Sequence, residues 1–390
     1  MKRCVRLLLL LAVFVLAVFI PGFALAQMPG EVENELDLKM GQYDFSSWQQ
    51  FFNDLSPEVK RIWGEDTVEN LVGQYAEGEP DTDYDGKLET VFRAIIKELK
   101  ESLGSISAVI GVALLSGVVG VLLENEHDKG IQEIASFLCY AMSVFIVAYL
   151  FMRLVGLANG AVSRLSEFSE ASTPVLTTLL SAVGSIGASG MLRPLMMFLN
   201  TTVIKIFQTV ILPVILAGGV FAIVGNLSDR PQLTRLFVFT KSLSKWAIGV
   251  VFTVYIAILA VQGMSVAAVD SISLKAVKYT LDKSLPIVGG AVSGTFDTVR
   301  GCTVLIKNAA GAAAACIAVG YALSPAVQIG GAALALKLAA ALTEPISDGK
   351  IPKMLQSVAE SCEYVFAAVV AVALMFIITV GLVIAAGGAL

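Results

Sequence analysis

The chain has 390 residues, of which 56% are hydrophobic and only 15% charged. An ordinary soluble domain carries about 25% charged residues, so this composition excludes one and points to a membrane protein. The net charge of −5 is unevenly placed: residues 27–103 hold 18 acidic and 7 basic groups, whereas residues 104–390 hold 14 acidic and 17 basic. An acidic segment followed by a weakly basic apolar body lacks the clustered Lys and Arg that nucleic-acid binding requires.

Met1 to Ala26 has a basic start (Lys2, Arg3, Arg6), an apolar run from Leu7 to Ile20, a Pro21-Gly22 break and Ala24-Leu25-Ala26. This layout predicts a secretory signal cleaved after Ala26, the alternative being an uncleaved first membrane helix. Residues 27–103 then form an acidic extracytoplasmic segment. Within it, Ser46–Leu55 and Pro57–Val72 are predicted as short amphipathic helices. Trp48, Phe51, Phe52, Ile62, Trp63 and Val68 are candidates for one small apolar face. Glu77 to Gly86 reads as an acidic turn-rich loop. Asp81, Asp83 and Asp85 alternate as in a calcium loop, but Phe92 stands where the twelfth-position glutamate belongs, so a solvated linker is the reading. Leu88–Leu103 is predicted as an amphipathic helix against the membrane surface.

Residues 104–390 form a multi-span transmembrane domain by hydropathy. Ser105–Leu123 and Ile134–Leu157 are long enough to cross a bilayer. Pro174–Met191 is rich in Ser, Thr and Gly, and reads either as a protein-packed span or as a re-entrant piece. Leu195–Val224 is predicted to kink at Pro213, with Lys205 at a polar interior or interface. Gly225–Lys245 is the densest basic loop, which the positive-inside rule places in the cytoplasm. Trp246–Val269 is a further span, followed by the polar stretch Asp270–Lys283. Ala309–Leu342, broken at Ser324-Pro325, is predicted as a tight hairpin of two helices. Thr343–Cys362 reads as a polar loop and Tyr364–Ala386 as the last span. The count is six strong spans, or seven with Pro174–Met191. Starting outside, the basic loop falls inside only if Pro174–Met191 does not cross, so a non-crossing segment is expected. The fold class is therefore all-α, a polytopic helical membrane protein with a short exported N-terminal segment.

Ser284–Gly311 carries charge inside this apolar body. On a helix, Ser293, Gly294, Asp297, Arg300, Gly301, Lys307, Asn308 and Gly311 share a sector of roughly 140°. Asp297 and Arg300, three apart, can pair. Such a face suggests a buried, wet or subunit-facing seam, since charge at membrane depth needs a partner or water. The competing reading is a helix end with Arg300 and Lys307 snorkelling to headgroups.

Nothing in the sequence supplies catalysis. There is no phosphate-binding G-x-x-x-x-G-K-[ST], no H-E-x-x-H and no G-x-S-x-G. The single histidine, His127, lies in an acidic loop and cannot build a multi-histidine metal centre. Five cysteines without a C-x-x-C pair support neither a zinc site nor a disulfide framework. No enzyme activity, metal or cofactor is expected.

The same stretch resembles the stage III sporulation protein AE family of endospore-forming bacteria. The matching pieces are Pro286-Ile287-Val288-Gly289, Asp297-Thr298-Val299, Gly301 and Leu305-Ile306-Lys307-Asn308, with Lys337–Asp348 (KLAAALTEPISD) also similar. The resemblance implies a subunit of the stage III A channel or secretion-like complex in the mother-cell membrane facing the forespore. It further implies partnership with the other stage III A proteins, with stage II sporulation protein Q, with lipid and with further copies of the chain, and a role in late forespore gene expression. A stand-alone secondary transporter and a non-conducting membrane scaffold are the rival readings. No internal repeat of the kind that transporters carry is evident between the halves.

Overall fold

The computed structural model describes residues 41, 43–57, 59–60, 67–77, single positions between 89 and 115, 129–227, 231–284, 289–345 and 349–387. The side chains of 129–133, 135–136, 226–227, 231–232, 266–284 and 289–299 lie outside that description. The predicted signal segment, most of the Ser105–Leu123 span, the acidic loop and most of the Leu88–Leu103 helix fall outside the described residues.

All regular structure among the described residues is helical: α1 (Ser46–Asn53), α2 (Val68–Glu77), α3 (Lys129–Ala182), α4 (Ile186–Ile206), α5 (Leu212–Leu227), α6 (Pro231–Ser284), α7 (Gly289–Thr343) and α8 (Lys350–Ala385). A five-residue π turn, Phe207–Ile211, joins α4 to α5. Among the described residues, five helical stretches are long and apolar enough to cross a membrane: Phe137–Ala182, Ile186–Gly225, Leu233–Ser265, Arg300–Thr343 and Lys350–Ala385. The all-α, multi-span reading therefore holds.

The central pair is α7 against α8. Every residue from Ala309 to Gly320 is buried, because small side chains let the two backbones approach closely. α3, the α4–α5 unit and α6 pack around this pair. Over their apolar 18-residue segments α7 is 83% buried and α6 only 11% buried, so α6 lies at the periphery.

Several predicted breaks are continuous helix. α3 runs through Pro174. Its Ser and Thr hydroxyls donate to carbonyls one turn back: Ser172 to Phe168 at 2.7 Å, Thr173 to Ser169, Thr177 to Thr173 and Thr178 to Pro174 at 2.8 Å, and Ser181 to Thr177 at 2.9 Å. Polarity that reads as non-helical in the sequence is thus satisfied within the helix itself. α7 likewise passes through Pro325, so the expected Ala309–Leu342 hairpin is one helix. A proline costs a helix about 3 kcal/mol, and here the unbroken Ala/Gly face against α8 outweighs it. The Gly225–Lys245 loop shrinks to a short connection because α6 starts at Pro231, a residue suited to a first helical turn. The α6 backbone continues helical through Asp270–Lys283 to Ser284. α8 takes in Lys350–Cys362, which read as loop. The irregularity predicted at Pro213 appears one turn earlier, where Leu212 N–H reaches the Phe207 carbonyl across the π turn.

The N-terminal pair docks on this bundle. In α1, Trp48 and Phe52 fall one turn apart and are buried. The Asp44 carboxylate accepts from Ser46 N–H at 2.8 Å; the Ser46 side chain first, and this N–H with it, hold its carboxyl below the usual carboxylate range. Pro57, Val59 and Lys60 are helical, as predicted, and Ser56 Oγ accepts from Val59 N–H at 3.4 Å at that start; α2 begins at Val68, where Thr67 Oγ1 accepts from Asn70 N–H at 3.3 Å. Gln49 Oε1 accepts from Val68 N–H at 2.7 Å, tying the two helices together. Of the predicted apolar face, Trp48, Phe52 and Val68 are buried and Phe51 is half-buried, while Ile62 and Trp63 lie outside the described residues.

Candidate functional site: a basic pair at two helix ends

α3 ends in a turn whose geometry follows from one glycine. Gly184 has φ +94°. Gly184 N–H donates to Ser181 at 3.0 Å, and Ser185 N–H reaches back to Leu180 at 3.3 Å. This is a Schellman arrangement, which favours glycine at the left-handed position. It turns the chain directly into α4. α8 ends beside it, with Gly387 at φ +73°. A Cβ on Gly387 would lie 2.8 Å from Ser185 Oγ, so the two helix ends touch.

Helix C-termini leave carbonyls without intrahelical partners. Arg300 and Lys307 of α7 supply them. Arg300 Nε donates to the Val183 carbonyl at 3.3 Å, and its Nη2 to the Gly387 carbonyl at 2.9 Å. Lys307 Nζ donates to Val383 at 3.2 Å and to Ile384 at 2.7 Å, and also bonds the Ala386 carbonyl. The Arg300 side chain is buried, and Lys307 is 0% exposed. Arg300 thereby faces the negative ends of the α3 and α8 dipoles, and Lys307 that of α8. Chemically, the pair clamps three chain segments. Three carbonyls accept from the Lys307 ammonium, which carries three hydrogens.

The predicted seam residues do not share one environment. Arg300 and Lys307 point into the bundle. Gly311 packs on α8, where a Cβ would stand 2.6 Å from Ile384 Cγ1. Gly301 is exposed, and a Cβ there would meet nothing within 4 Å. Asn308 is half-buried, and its enclosed Oδ1 has no hydrogen-bond partner among the described residues. The side chain of Asp297 and the surroundings of Gly294 lie outside the described residues. The carbonyl partners of Arg300 and Lys307 were not readable from the sequence, since any residue can present a carbonyl. Gly184 and Gly387 were the available signal.

A second polar cluster also escaped sequence reasoning. Asn200 of α4 bonds Ser169 of α3. Tyr255 of α6 donates to the Met375 carbonyl of α8 at 3.0 Å and bonds Thr379. Ser169, Asn200 and Tyr255 line a cavity of about 20 Å³, room for a single water and not for a substrate. Half-buried pairs Lys241–Glu360 and Lys337–Glu363 tie α6 and α7 to α8. No group of three or more potential metal ligands occurs among the described residues.

Comparison with known proteins bears on the whole of this body. The profile of the stage III sporulation protein AE family matches residues 67–387. Stage III sporulation protein AE of Bacillus subtilis (strain 168) is 25% identical over 339 residues, covering 87% of this chain and 84% of that protein. No solved structure gives a significant match. The matched region takes in α2 and all five apolar helices together with the Arg300/Lys307 clamp, and the chain belongs to the stage III sporulation protein AE family.

Proposed function

We propose that this chain is a membrane subunit of the stage III A channel or secretion-like complex, set in the mother-cell membrane facing the forespore and needed for late forespore gene expression. The observation that carries the reading is the family match across residues 67–387, which spans all five apolar helices found among the described residues. The role we propose is non-catalytic, with Arg300 and Lys307 engaged by backbone carbonyls. Its partners are the other stage III A proteins, through them stage II sporulation protein Q, and further copies of the chain. The test is affinity capture of the tagged full-length chain from sporulating cells, with a late forespore reporter read in cells lacking it. Co-capture of stage III A proteins and loss of reporter activity are expected. Capture of none of them, with normal reporter activity, overturns the reading.

A scaffold contribution within that complex has its own support. The one basic cluster at membrane depth whose partners are described is locked onto backbone carbonyls, so it fastens helices rather than lining a path.

A further inference from the structure

We propose that the bundle face built by α1, α2 and the Asn159–Thr178 stretch of α3 meets water at membrane depth, giving the subunit one lipid side and one aqueous side. The inference rests on the membrane-subunit reading above and says which surface of that subunit is wet.

Depth is fixed by α8. It holds the most apolar 18-residue segment of the five, with mean hydropathy 2.9, and Phe376 lies midway along its Tyr364–Ala386 run. The Phe168 ring of α3 sits 5.6 Å from the Phe376 ring. Phe168 therefore lies at the middle of the last span.

The outside of α3 at that level is charged. Arg164 and Glu167 flank Phe168 within one turn, with side chains 54% and 50% exposed. Glu170 is also exposed, as are Asn159 and Thr178 along the same stripe. Arg164 pairs with Glu167 at 3.3 Å and with Asp54, just past α1, at 3.7 Å. The docked N-terminal helices extend this polar surface. They turn aromatics inward, with Phe51 and Trp48 5.4 Å and 6.0 Å from the Phe168 ring. Outward they present Ser47, Gln50, Asn53, Glu69 and Asn70. Half-exposed ions cannot rest against hydrocarbon, so this face requires water.

The other side of the bundle is apolar at the same level. Tyr255 of α6 reaches Met375 of α8, and the outer face of α6 there exposes Val254 (51%), Val261 (58%) and Met264 (69%). A helix bundle whose two sides differ in this way at one depth separates lipid from an aqueous lumen. Water at mid-membrane needs walls, and the α1–α2–α3 face supplies one of them.

The test is single-cysteine labelling of the full-length chain in membranes of sporulating cells with a charged, membrane-impermeant maleimide. E167C and N53C, both at exposed positions, probe the wet face; V254C and V261C probe the lipid face. The natural chain sets the background, its Cys302, Cys316 and Cys362 being buried and Cys139 partly so. Because the reaction needs a water-solvated thiolate, E167C and N53C should label on the order of tenfold faster than V254C and V261C. Protection of E167C and N53C at normal membrane level overturns the aqueous face, whether lipid or a partner protein covers it. Equal labelling of all four also overturns it, because that depth is then outside the bilayer. Co-capture of stage III A proteins is measured on the same variants. Its loss in the natural chain would count against the membrane-subunit reading, whereas protection with co-capture intact counts against the wet face alone.

Discussion

Lys307 of α7 donates to the carbonyl of Ile384 on α8 at 2.7 Å, 77 residues away in sequence. Its ammonium takes the place of the next helical turn for the end of α8. K307M keeps the stem and deletes the charge, stranding buried carbonyls at about 1–3 kcal/mol each. A lower thermal midpoint in detergent and a lower membrane level are expected. K205M alters an exposed lysine and should leave both unchanged. Equal behaviour of the two variants would show that the clamp contributes nothing.

The Arg300 guanidinium donates to the Val183 and Gly387 carbonyls, while the side chain of Asp297, the partner that spacing offers, lies outside the described residues. R300Q should therefore destabilise the α3–α8 junction by about 1–3 kcal/mol for each carbonyl left unpaired. D297N should not rescue it, since removing a carboxylate gives those carbonyls no donor. Recovery of membrane level in the double variant would mean that a lone Asp297 charge, not stranded carbonyls, is the source of the damage.

How far the sequence reaches is visible in these same residues. Arg300 and Lys307 stood out because charge in an apolar run is costly, and both are buried. Their partners were hidden because a carbonyl has no letter in the sequence. Pro174 and Pro325 read as breaks because local propensity was all that could be weighed. Inside the bundle, hydroxyl back-bonding at Thr178 and the buried alanines around Cys316 override that propensity. The docking of Trp48 and Phe51 onto Phe168 joins residues far apart in the chain, which periodicity cannot report.

Gly311 and Gly301 lie ten residues apart on α7 and should respond oppositely to alanine. A Cβ at Gly311 would press on Ile384 at 2.6 Å and 2.8 Å, and overpacking costs about 1–3 kcal/mol. At Gly301 the space is open, so alanine should stabilise the helix by roughly 0.5–1 kcal/mol. Thermal unfolding of the two variants checks the sign of each change. A stable G311A would mean that α8 does not close on α7 at this level.

The seat of the N-terminal pair is testable at Gly320. A Cβ there would meet Val59 Cγ1 at 2.9 Å and Leu55 Cδ2 at 3.0 Å. Beside it, Tyr321 donates to the Phe51 carbonyl at 2.7 Å. G320L should lift the α1 region from α7, exposing residues 41–77 to limited proteolysis. Y321F removes one hydrogen bond, worth about 1 kcal/mol, and should give a milder increase in cleavage. Unchanged protection in G320L would place α1 elsewhere on the bundle.

The pair Lys337–Glu363 joins α7 to α8, with side chains only 14% and 17% exposed. Its sequence separation of 26 hides it from any local pattern. A buried ion pair adds little net stability, because desolvating both charges offsets their attraction. Breaking one is different: the remaining charge keeps its desolvation penalty and loses its partner. K337M should therefore cost about 3–5 kcal/mol if the pair is fully desolvated, and less in proportion to the residual exposure. The double variant K337M/E363L replaces both ions with apolar groups of similar size and should recover most of that loss. Unfolding midpoints of the two singles and the double form a closed cycle. A double variant as unstable as the sum of the singles would show that the two side chains act independently, and that α7 and α8 are held at this level by packing alone.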